Sequence, residues 1–289
     1  MSVSVEIGLL LALLTAFGSV TGFLYKFRGV QGTPAVEMRR PLRSSLALFR
    51  SPLYSLGIAI ATVSWGLHVG ALSLAPISLV QSVIAGGLVL LTVLADRLFR
   101  IEVTRREWIG VALMALGLAF LAATQDGEGR HAFSHYRPGT LAIYAGSLAL
   151  CGLLLTVRSR RANVLAVAAG LLWAASDTSI KALSSHLGRL GFGVLVHPLA
   201  LVILLASLVG LLVSARSLQL GEAVPVIALT SVAANLTTIA AGPIVFSEPL
   251  PSGGVALTTR VLAFALVIVA AALTPPPLRR AAAPEGASV

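Results

Sequence analysis

Two ionisable residues lie four positions apart inside an apolar stretch that is long enough to cross a membrane. The stretch is VLAVAAGLLWAASDTSIKALS (164–184), and it carries Trp173, Asp177 and Lys181. Residues four apart share one helix face, so Asp177 and Lys181 are expected to be able to pair. An Asp or Lys at the centre of a membrane helix costs about 2.5–3.5 kcal/mol on insertion scales, so such residues are functional hypotheses by default. The structural alternatives are an ion pair that only packs helices and a Lys181 that reaches the outer headgroups.

Other polar side chains fall at similar depth in apolar segments. His68, Gln81 and His197 lie in the outer half, and Asn235 lies nearer the middle of its segment. An imidazole, with a reference pKa of about 6.5, suits proton coupling, although a lone His is more often a hydrogen-bonded packing residue. The predicted substrate or ion pathway consists of Asp177, Lys181, His68, Gln81, Asn235 and Trp173.

Asp177 is the only acidic residue that we place well within a predicted span. The other acidic residues, Glu248 among them, are expected in loops, in tails or at helix ends. No catalytic residues, metal ligands or cofactor are predicted. The chain lacks HExxH, GxSxG and P-loop motifs and any Cys/His pairing, so an enzyme is not expected.

The composition identifies the chain as an integral membrane protein. Hydrophobic residues make up 57% of it and charged residues 11%, against about 25% charged in soluble domains. A net charge of +10 would point to nucleic acid in a soluble protein. Here it is explained by Lys and Arg in cytoplasmic loops, so the expected partner is the lipid bilayer and not nucleic acid. A single cysteine, Cys151, excludes an internal disulfide, a zinc cluster and a CxxC pair.

The fold class predicted is all-α, a polytopic membrane helix bundle. A spanning helix needs about 20 mostly apolar residues, and nine segments of the sequence meet that rule. They are 5–25, 53–75, 76–96, 108–124, 139–157, 163–184, 193–214, 222–246 and 257–275. The Pro-rich residues 276–289 are predicted to form a disordered cytoplasmic tail.

The positions of Lys and Arg predict the orientation. If the N-terminus is outside and the spans alternate, the inner loops contain most of the 21 Lys and Arg residues. The exceptions are Arg130, Arg137, Lys181, Arg189 and Arg260. We therefore predict a plasma (inner) membrane protein with its N-terminus outside and its C-terminus in the cytoplasm. The basic segment 26–50, which begins at Lys26, is interpreted as a cytoplasmic loop that anchors this topology and attracts anionic headgroups.

Two parts of the chain resemble each other. ALSLAPISLVQSV (71–83) is similar to ARSLQLGEAVPVI (215–227), and ADRLF (95–99) follows one helix as SEPLP (247–251) follows another. The predicted topology gives the two copies opposite senses, the inverted repeat that many secondary transporters use for alternating access. Helices 1–4 and 6–9 would be the copies, joined by helix 5. The corresponding units are 1–125, 126–162 with the outer loop and helix 5, 163–275, and the tail.

A family resemblance rests on the same residues. The turn SLAPISLV (73–80), an acidic residue closing the next helix, and REWIGVALMALG (106–117) resemble the drug/metabolite transporter superfamily of EamA-like permeases. Residues 8–26, 163–183 and His197-Pro198-Leu199 are most similar to its NIPA-type magnesium transporter branch. The chain also resembles actinobacterial Ala/Val/Leu-rich integral membrane proteins of this type. The superfamily usually has ten helices, whereas nine are predicted here.

Three functions remain open at this point. The first, which the resemblance implies, is a transporter that moves a small solute by alternating access, with proton coupling through Asp177 and His68. The second is a NIPA-like carrier of magnesium or another divalent cation, although one carboxylate beside a lysine is a poor site for dehydrated Mg²⁺. The third is a non-transporting membrane scaffold.

Glycine and proline add two further expectations. The GxxxG motifs at 18–22 and 66–70 allow close helix approach and leave a homodimer open. Pro225 and Gly242-Pro243 interrupt the eighth segment on either side of Asn235. Interrupted membrane helices free backbone groups that line cavities or are satisfied by protein, so this segment is the second candidate for the pathway.

Overall fold

Apolar sequence folds into α-helices throughout the computed structural model. It describes residues 3–37, 39–100, 103–123, 135–248 and, further on, 253–255, 258–259, 261–263 and 265–266. No strand occurs among these residues. The helices are α1 (Val3–Val30), α2 (Pro41–Phe49), α3 (Pro52–Leu74), α4 (Ile77–Gly86), α5 (Leu88–Arg97), α6 (Arg105–Ala123), α7 (Pro138–Arg158), α8 (Ala162–Ser184), α9 (Leu187–Leu190), α10 (Pro198–Leu220) and α11 (Ala223–Val245).

Proline sets the start of several helices. Pro41, Pro52, Pro138 and Pro198 each occupy the first turn of a helix, where the missing N–H leaves no hydrogen bond unmade. The side chain of His197 also accepts a hydrogen bond from the backbone N–H of Leu199 and so caps α10. A 3₁₀ turn at Gly191–Val196 precedes that cap, which is why the predicted span 193–214 begins too early.

Among the described residues, six helices are long and apolar enough to cross a membrane: α1, α3, α7, α8, α10 and α11. The predicted spans 53–75, 139–157, 163–184 and 222–246 agree with α3, α7, α8 and α11 to within about one residue at each end. The predicted first span, 5–25, is shorter than α1, which continues to Val30. At 1.5 Å per residue, the 28 residues of α1 extend about 42 Å, beyond the roughly 30 Å hydrocarbon core.

The predicted third span, 76–96, is not one continuous helix. A turn at Gly87 divides it into α4 and α5. A Cβ added at Gly87 would lie 2.7 Å from the Cβ of Ala16, so α1 passes too close to this turn for any side chain.

The remaining predicted segments can be compared with the structure only in part. The predicted fourth span, 108–124, overlaps α6. The ninth, 257–275, lies largely outside the described residues, as do the tail 276–289 and residues 124–134 of the outer loop. Nine spans and the inverted repeat therefore stay predictions.

Helices α8 and α11 are the most buried of the six. Their backbones touch at Gly170, where an added Cβ would lie 2.7 Å from the Cβ of Ala233 and 3.0 Å from the backbone nitrogen of Ala234. Small residues permit such an approach between membrane helices. On its other side α8 packs against α7 and α10.

Helix α1 packs along α3 in the opposite direction. Gly29 lies against Tyr54, Gly22 against Gly57, and Gly18 against the Ser64 side chain. The GxxxG motif at 18–22 is therefore used within the chain, between α1 and α3. Nothing lies within 4 Å of a Cβ built on Gly66, whereas Gly70 of the same motif faces Leu11 of α1.

Helices α3, α8 and α11 run in the same direction. Asp177 contacts His68, and further along both helices Lys181 contacts Ala75; Gly221, just before α11, lies against Ala162 at the start of α8. We call the end of the bundle where these three helices begin the basic end, and the opposite end, with the Ala75-Pro76 turn, the turn end. Seven exposed arginines adjoin the basic end: Arg39, Arg40, Arg43, Arg50, Arg158, Arg160 and Arg161.

Uncharged amides connect the two parts of the chain at the basic end. The Gln219 side chain donates to the Thr33 hydroxyl at 3.1 Å and accepts from the backbone N–H of Val36 at 2.9 Å. Gln31 donates to the carbonyl of Leu218 at 3.1 Å. The segment after α1 is thereby held to the end of α10.

Candidate functional site

A cavity of about 110 Å³ lies between α1, α3, α4, α8 and α11. This volume has room for several water molecules, and it is smaller than the roughly 300–1,000 Å³ of pockets for drug-sized ligands. Its wall combines apolar and polar side chains: Thr15, Ser19, Phe23, Lys26, Ala61, Ser64, Trp65, His68, Gln81, Ile84, Trp173, Asp177, Thr230, Ser231, Ala234 and Asn235. The charged or titratable members of this set are Lys26, His68 and Asp177.

Three helices each contribute one member of a hydrogen-bonded cluster on the wall. His68 Nε2 on α3 lies 3.2 Å from Asp177 Oδ1 on α8. Gln81 Nε2 on α4 lies 3.2 Å from Asp177 Oδ2. The His68 and Asp177 side chains are only 8% and 15% exposed. Both carboxylate oxygens of Asp177 therefore have partners inside the bundle.

The distances around His68 are compatible with a proton on its Nε2. Gln81 Nε2 and His68 Nε2 are 3.4 Å apart, yet both face Asp177 and an amide nitrogen can only donate. Both nitrogens donate to the carboxylate if the imidazole carries its proton on Nε2. His68 Nδ1 is buried without a partner among the described residues.

Lys26 lines the same cavity, although the sequence placed it in a cytoplasmic loop. It belongs to α1 and is only 2% exposed. Its Nζ lies 3.8 Å from the ring centroid of Phe23 and 5.5 Å from that of Trp173. A cation over aromatic faces gains about 2 kcal/mol when desolvated. Within the described part of the chain, no oxygen accepts a hydrogen bond from this ammonium.

Helix α11 supplies the uncharged polar part of the wall. Thr230 satisfies itself by donating to the backbone carbonyl of Val226 at 2.9 Å. Asn235 is 3% exposed, and its amide has no hydrogen-bond partner in the described ranges of the chain. A buried amide without a protein partner requires water or a ligand. Asn235 is therefore available to a molecule in the cavity.

Lys181 is buried outside the cavity and does not pair with Asp177. Its Nζ donates to the carbonyls of Leu72 and Ala75, both at 2.7 Å. These are carbonyls at the C-terminal end of α3, where the helix dipole favours a cation. Asp177 and Lys181, whose spacing allowed them to pair, have different partners: His68 and Gln81 for Asp177, and the carbonyls at the end of α3 for Lys181.

Glu248 accepts hydrogen bonds from the residues that follow the Ala75-Pro76 turn. Its Oε1 accepts from the backbone N–H of Ile77 at 2.7 Å, and its Oε2 accepts from the Ser78 hydroxyl. Burial raises the pKa of the Glu248 carboxyl, while the Ser78 hydrogen bond and the Lys181 charge act in the opposite direction. Gly242 leaves room for this carboxylate, which an added Cβ would strike.

Five of the six residues predicted to form the pathway line one cavity: Asp177, His68, Gln81, Asn235 and Trp173. Lys181 does not, and His197 caps α10. The sequence did not predict that Lys26 and Glu248 are buried, because each lies just beyond the end of a predicted span. The available signal for Lys26 was its position between Tyr25 and Phe27, with apolar residues continuing to Val30.

Comparison with known protein families, with curated proteins and with solved structures finds no match to this chain. The resemblance to the drug/metabolite transporters therefore stays a prediction, and the cavity is the feature that points to a function.

Proposed function

We propose that this protein is an integral membrane transporter of the drug/metabolite type, which moves a small polar solute by alternating access. The observation that carries the proposal is the cavity inside the helix bundle, with an ionisable cluster at Asp177 and an unpaired ammonium at Lys26. Ionisable residues within membrane helices are rare and mark solute or ion pathways. A helix bundle that only spans the bilayer has no need of them.

The position of the cavity supports alternating access. One side of it is formed by α1, α3 and α4, and the other by α8 and α11. The most extensive helix pairs are α1 with α3 and α8 with α10, each within one part of the chain. Binding sites of secondary transporters lie between such halves, near the middle of the membrane. The inverted repeat, nine spans and an N-terminus outside belong to this proposal.

Asp177 and His68 are proposed to carry the coupling proton. The charged or titratable groups around Asp177 are His68 from α3 and Lys26 from α1; α4 contributes the neutral Gln81, and α11 contributes uncharged groups. A carboxylate that accepts from an imidazole N–H can take a proton without breaking the cluster, because Gln81 keeps one oxygen in place. Protonation changes the charge of the cavity by one unit, which links solute affinity to proton binding.

The same cavity speaks against a dehydrated divalent cation as the cargo. Magnesium requires octahedral oxygen ligands, and the described residues contain no group of three His, Cys, Asp or Glu that could hold a metal ion. Lys26 adds a positive charge to the wall. A small solute therefore fits these residues better than magnesium does.

Transport by purified protein in proteoliposomes tests the proposal. Radiolabelled carboxylates, amines, amino acids, sugars and Mg²⁺ are presented with and without a pH gradient to wild type, Asp177→Asn and Asp96→Asn. Asp177→Asn keeps the size of the side chain, removes its charge and replaces one of the two acceptor oxygens by an NH2 donor. Asp96 is an exposed acid on α5 and serves as the matched control.

We expect Asp177→Asn to slow solute flux by about tenfold or more, the effect of losing a charge-assisted hydrogen bond, and to abolish its response to the pH gradient. Asp96→Asn should behave as wild type. A folded wild-type protein that moves none of these solutes would favour the non-transporting scaffold. Equal flux in Asp177→Asn and wild type would remove Asp177 from the mechanism.

A further inference from the structure

Lys26 differs from the other buried lysine in what surrounds its ammonium. Lys181 donates two hydrogen bonds of 2.7 Å to carbonyl oxygens, as a buried cation requires. Lys26 is equally buried, and its Nζ lies 3.8 Å from the ring centroid of Phe23 and 5.5 Å from that of Trp173. An ammonium has three N–H donors, and cation–π contact satisfies none of them as an oxygen would. The Lys26 ammonium therefore lacks an acceptor within the described part of the chain.

The direction of the Lys26 side chain excludes the usual escape to the membrane surface. Side chains on a helix lean towards its N-terminus, and the ammonium of Lys26 lies over the ring of Phe23, three residues earlier. The lysine thus points along α1 into the bundle and lines the cavity. A snorkelling lysine would extend towards the headgroups. Its missing acceptor must come from the contents of the cavity.

The other residues of the cavity wall limit the kind of molecule that can supply an acceptor to Lys26. Phe23, Ile84 and Trp173 supply apolar surface, and Asn235 supplies a free neutral amide. Asp177 already has partners for both oxygens, so the cavity offers one unsatisfied cation. A carboxylate pairs with an ammonium through short charge-assisted hydrogen bonds. An apolar body on the same molecule would contact the aromatic rings.

We propose that Lys26 binds the carboxylate of the transported solute, a small organic acid with an apolar body. This inference rests on the proposed transport function, and it names the substrate class of the same cavity. The aromatic rings hold Lys26 in position when the cavity contains only water. The carboxylate of the solute then supplies the acceptor that the protein lacks.

Matched ligands separate charge recognition from apolar binding in the purified full-length protein. Butyrate, butyramide and butylamine share one carbon chain and differ in charge. Trp173 lies against Phe23, with ring centroids 5.9 Å apart, and Trp65 also lines the cavity. Both report on this region by fluorescence once the third tryptophan, Trp108, is replaced by Phe. Each ligand is titrated into this background and into the same background with Lys26→Met, Lys26→Arg or Arg50→Met.

We expect saturable binding of butyrate, weaker by about tenfold or more in Lys26→Met and within about threefold of the background in Lys26→Arg, which keeps the charge. The exposed Arg50 serves as the control, and its replacement should change nothing. Equal affinity for butyrate and butyramide in the unsubstituted background would overturn the proposal, whether or not the Lys26 variants fold. Unchanged butyrate affinity in a folded Lys26→Met would overturn it as well.

The transport assay distinguishes this inference from the proposed function. Flux of amines or sugars, with no binding of butyrate, would overturn the role of Lys26 and leave the transporter intact. Butyrate binding that depends on Lys26, without flux of any solute, would support the carboxylate site and contradict transport.

Discussion

Lys26 and Lys181 are the buried basic side chains of the described structure apart from His68, and they illustrate two uses of a cation in a membrane bundle. Lys181 donates two hydrogen bonds to carbonyl oxygens at the end of α3. Lys26 is held against aromatic rings at the edge of a cavity. The first use stabilises the fold, and the second leaves a charge available to a ligand. Replacing the two lysines should therefore affect different properties.

Lys181→Met is expected to lower the free energy of unfolding by about 1.5–3 kcal/mol, because it leaves the carbonyls of Leu72 and Ala75 without donors. Lys26→Met removes a buried charge without an acceptor, so stability should be unchanged or higher. Unfolding followed by circular dichroism in detergent micelles measures both. Equal destabilisation by the two substitutions would contradict this division between the lysines.

At the residue scale, the depth of a polar side chain within the membrane could be predicted from the sequence, whereas its hydrogen-bonding partner could not. Counting along the apolar segments placed Asp177, His68 and Gln81 at similar levels, and the structure brings them within hydrogen-bond distance. Spacing alone then assigned Lys181 to Asp177. A lysine side chain can reach in several directions, and which acceptor it meets depends on the neighbouring helix, here α3.

Close contact between α8 and α11 forms one wall of the cavity, and Gly170 makes that contact. Gly170→Ala is expected to cost about 1–3 kcal/mol, because the new methyl group meets Ala233 and the backbone of Ala234. Gly146→Ala on α7 is the matched control, since a Cβ there has nothing within 4 Å. It should gain about 0.5–1 kcal/mol from helix propensity alone.

Thermal unfolding of the two variants in the same detergent gives the comparison. Because the Gly170 methyl would separate α8 from α11, we also expect weaker butyrate binding in Gly170→Ala. A Gly170→Ala protein as stable as Gly146→Ala would show that the two helices are not in backbone contact.

At the element scale, helix boundaries were predictable where proline or an abrupt change in polarity defines them. The starts of α3, α7 and α8 agree with the sequence to about one residue. The end of α1 was not predictable in this way, because Lys26 and Arg28 resemble a polar loop although the helix continues past them to Val30. The break at Gly87 depends on the close passage of Ala16, a contact that no local pattern contains.

For the whole molecule, the exposed arginines around the basic end predict its side of the membrane. Because this end carries Arg39, Arg40, Arg43, Arg50 and Arg158, we expect it to face the cytoplasm, with the N-terminus outside. Fusions of green fluorescent protein and of alkaline phosphatase after Arg160, between α7 and α8 at the basic end, report the side that this end faces. Fluorescence without phosphatase activity is expected, and the reverse result would invert the orientation.

The assembly of the cavity was the least predictable property. Its wall needs side chains from positions as far apart as Lys26 and Asn235, and a single sequence shows neither which helices are neighbours nor which faces they share. The apolar segments alone predicted a membrane bundle, because the hydrocarbon core requires each backbone to be satisfied within its own helix. Which helices pack together depends on small residues such as Gly22 and Gly170.

The Ala75-Pro76 turn has a consequence for the speed of conformational change. At the turn end, Lys181 and Glu248 hold the ends of α3 and α4 through charged hydrogen bonds in a buried place. At the basic end, Gln219 and Gln31 make neutral hydrogen bonds near water, which can replace them as they break. Opening the basic end should therefore be fast and frequent, whereas opening the turn end must break the buried hydrogen bonds of Lys181 and Glu248 together before water can replace them. Under the alternating access proposed above, we expect the turn end to be the slow gate, and its opening to set the turnover rate.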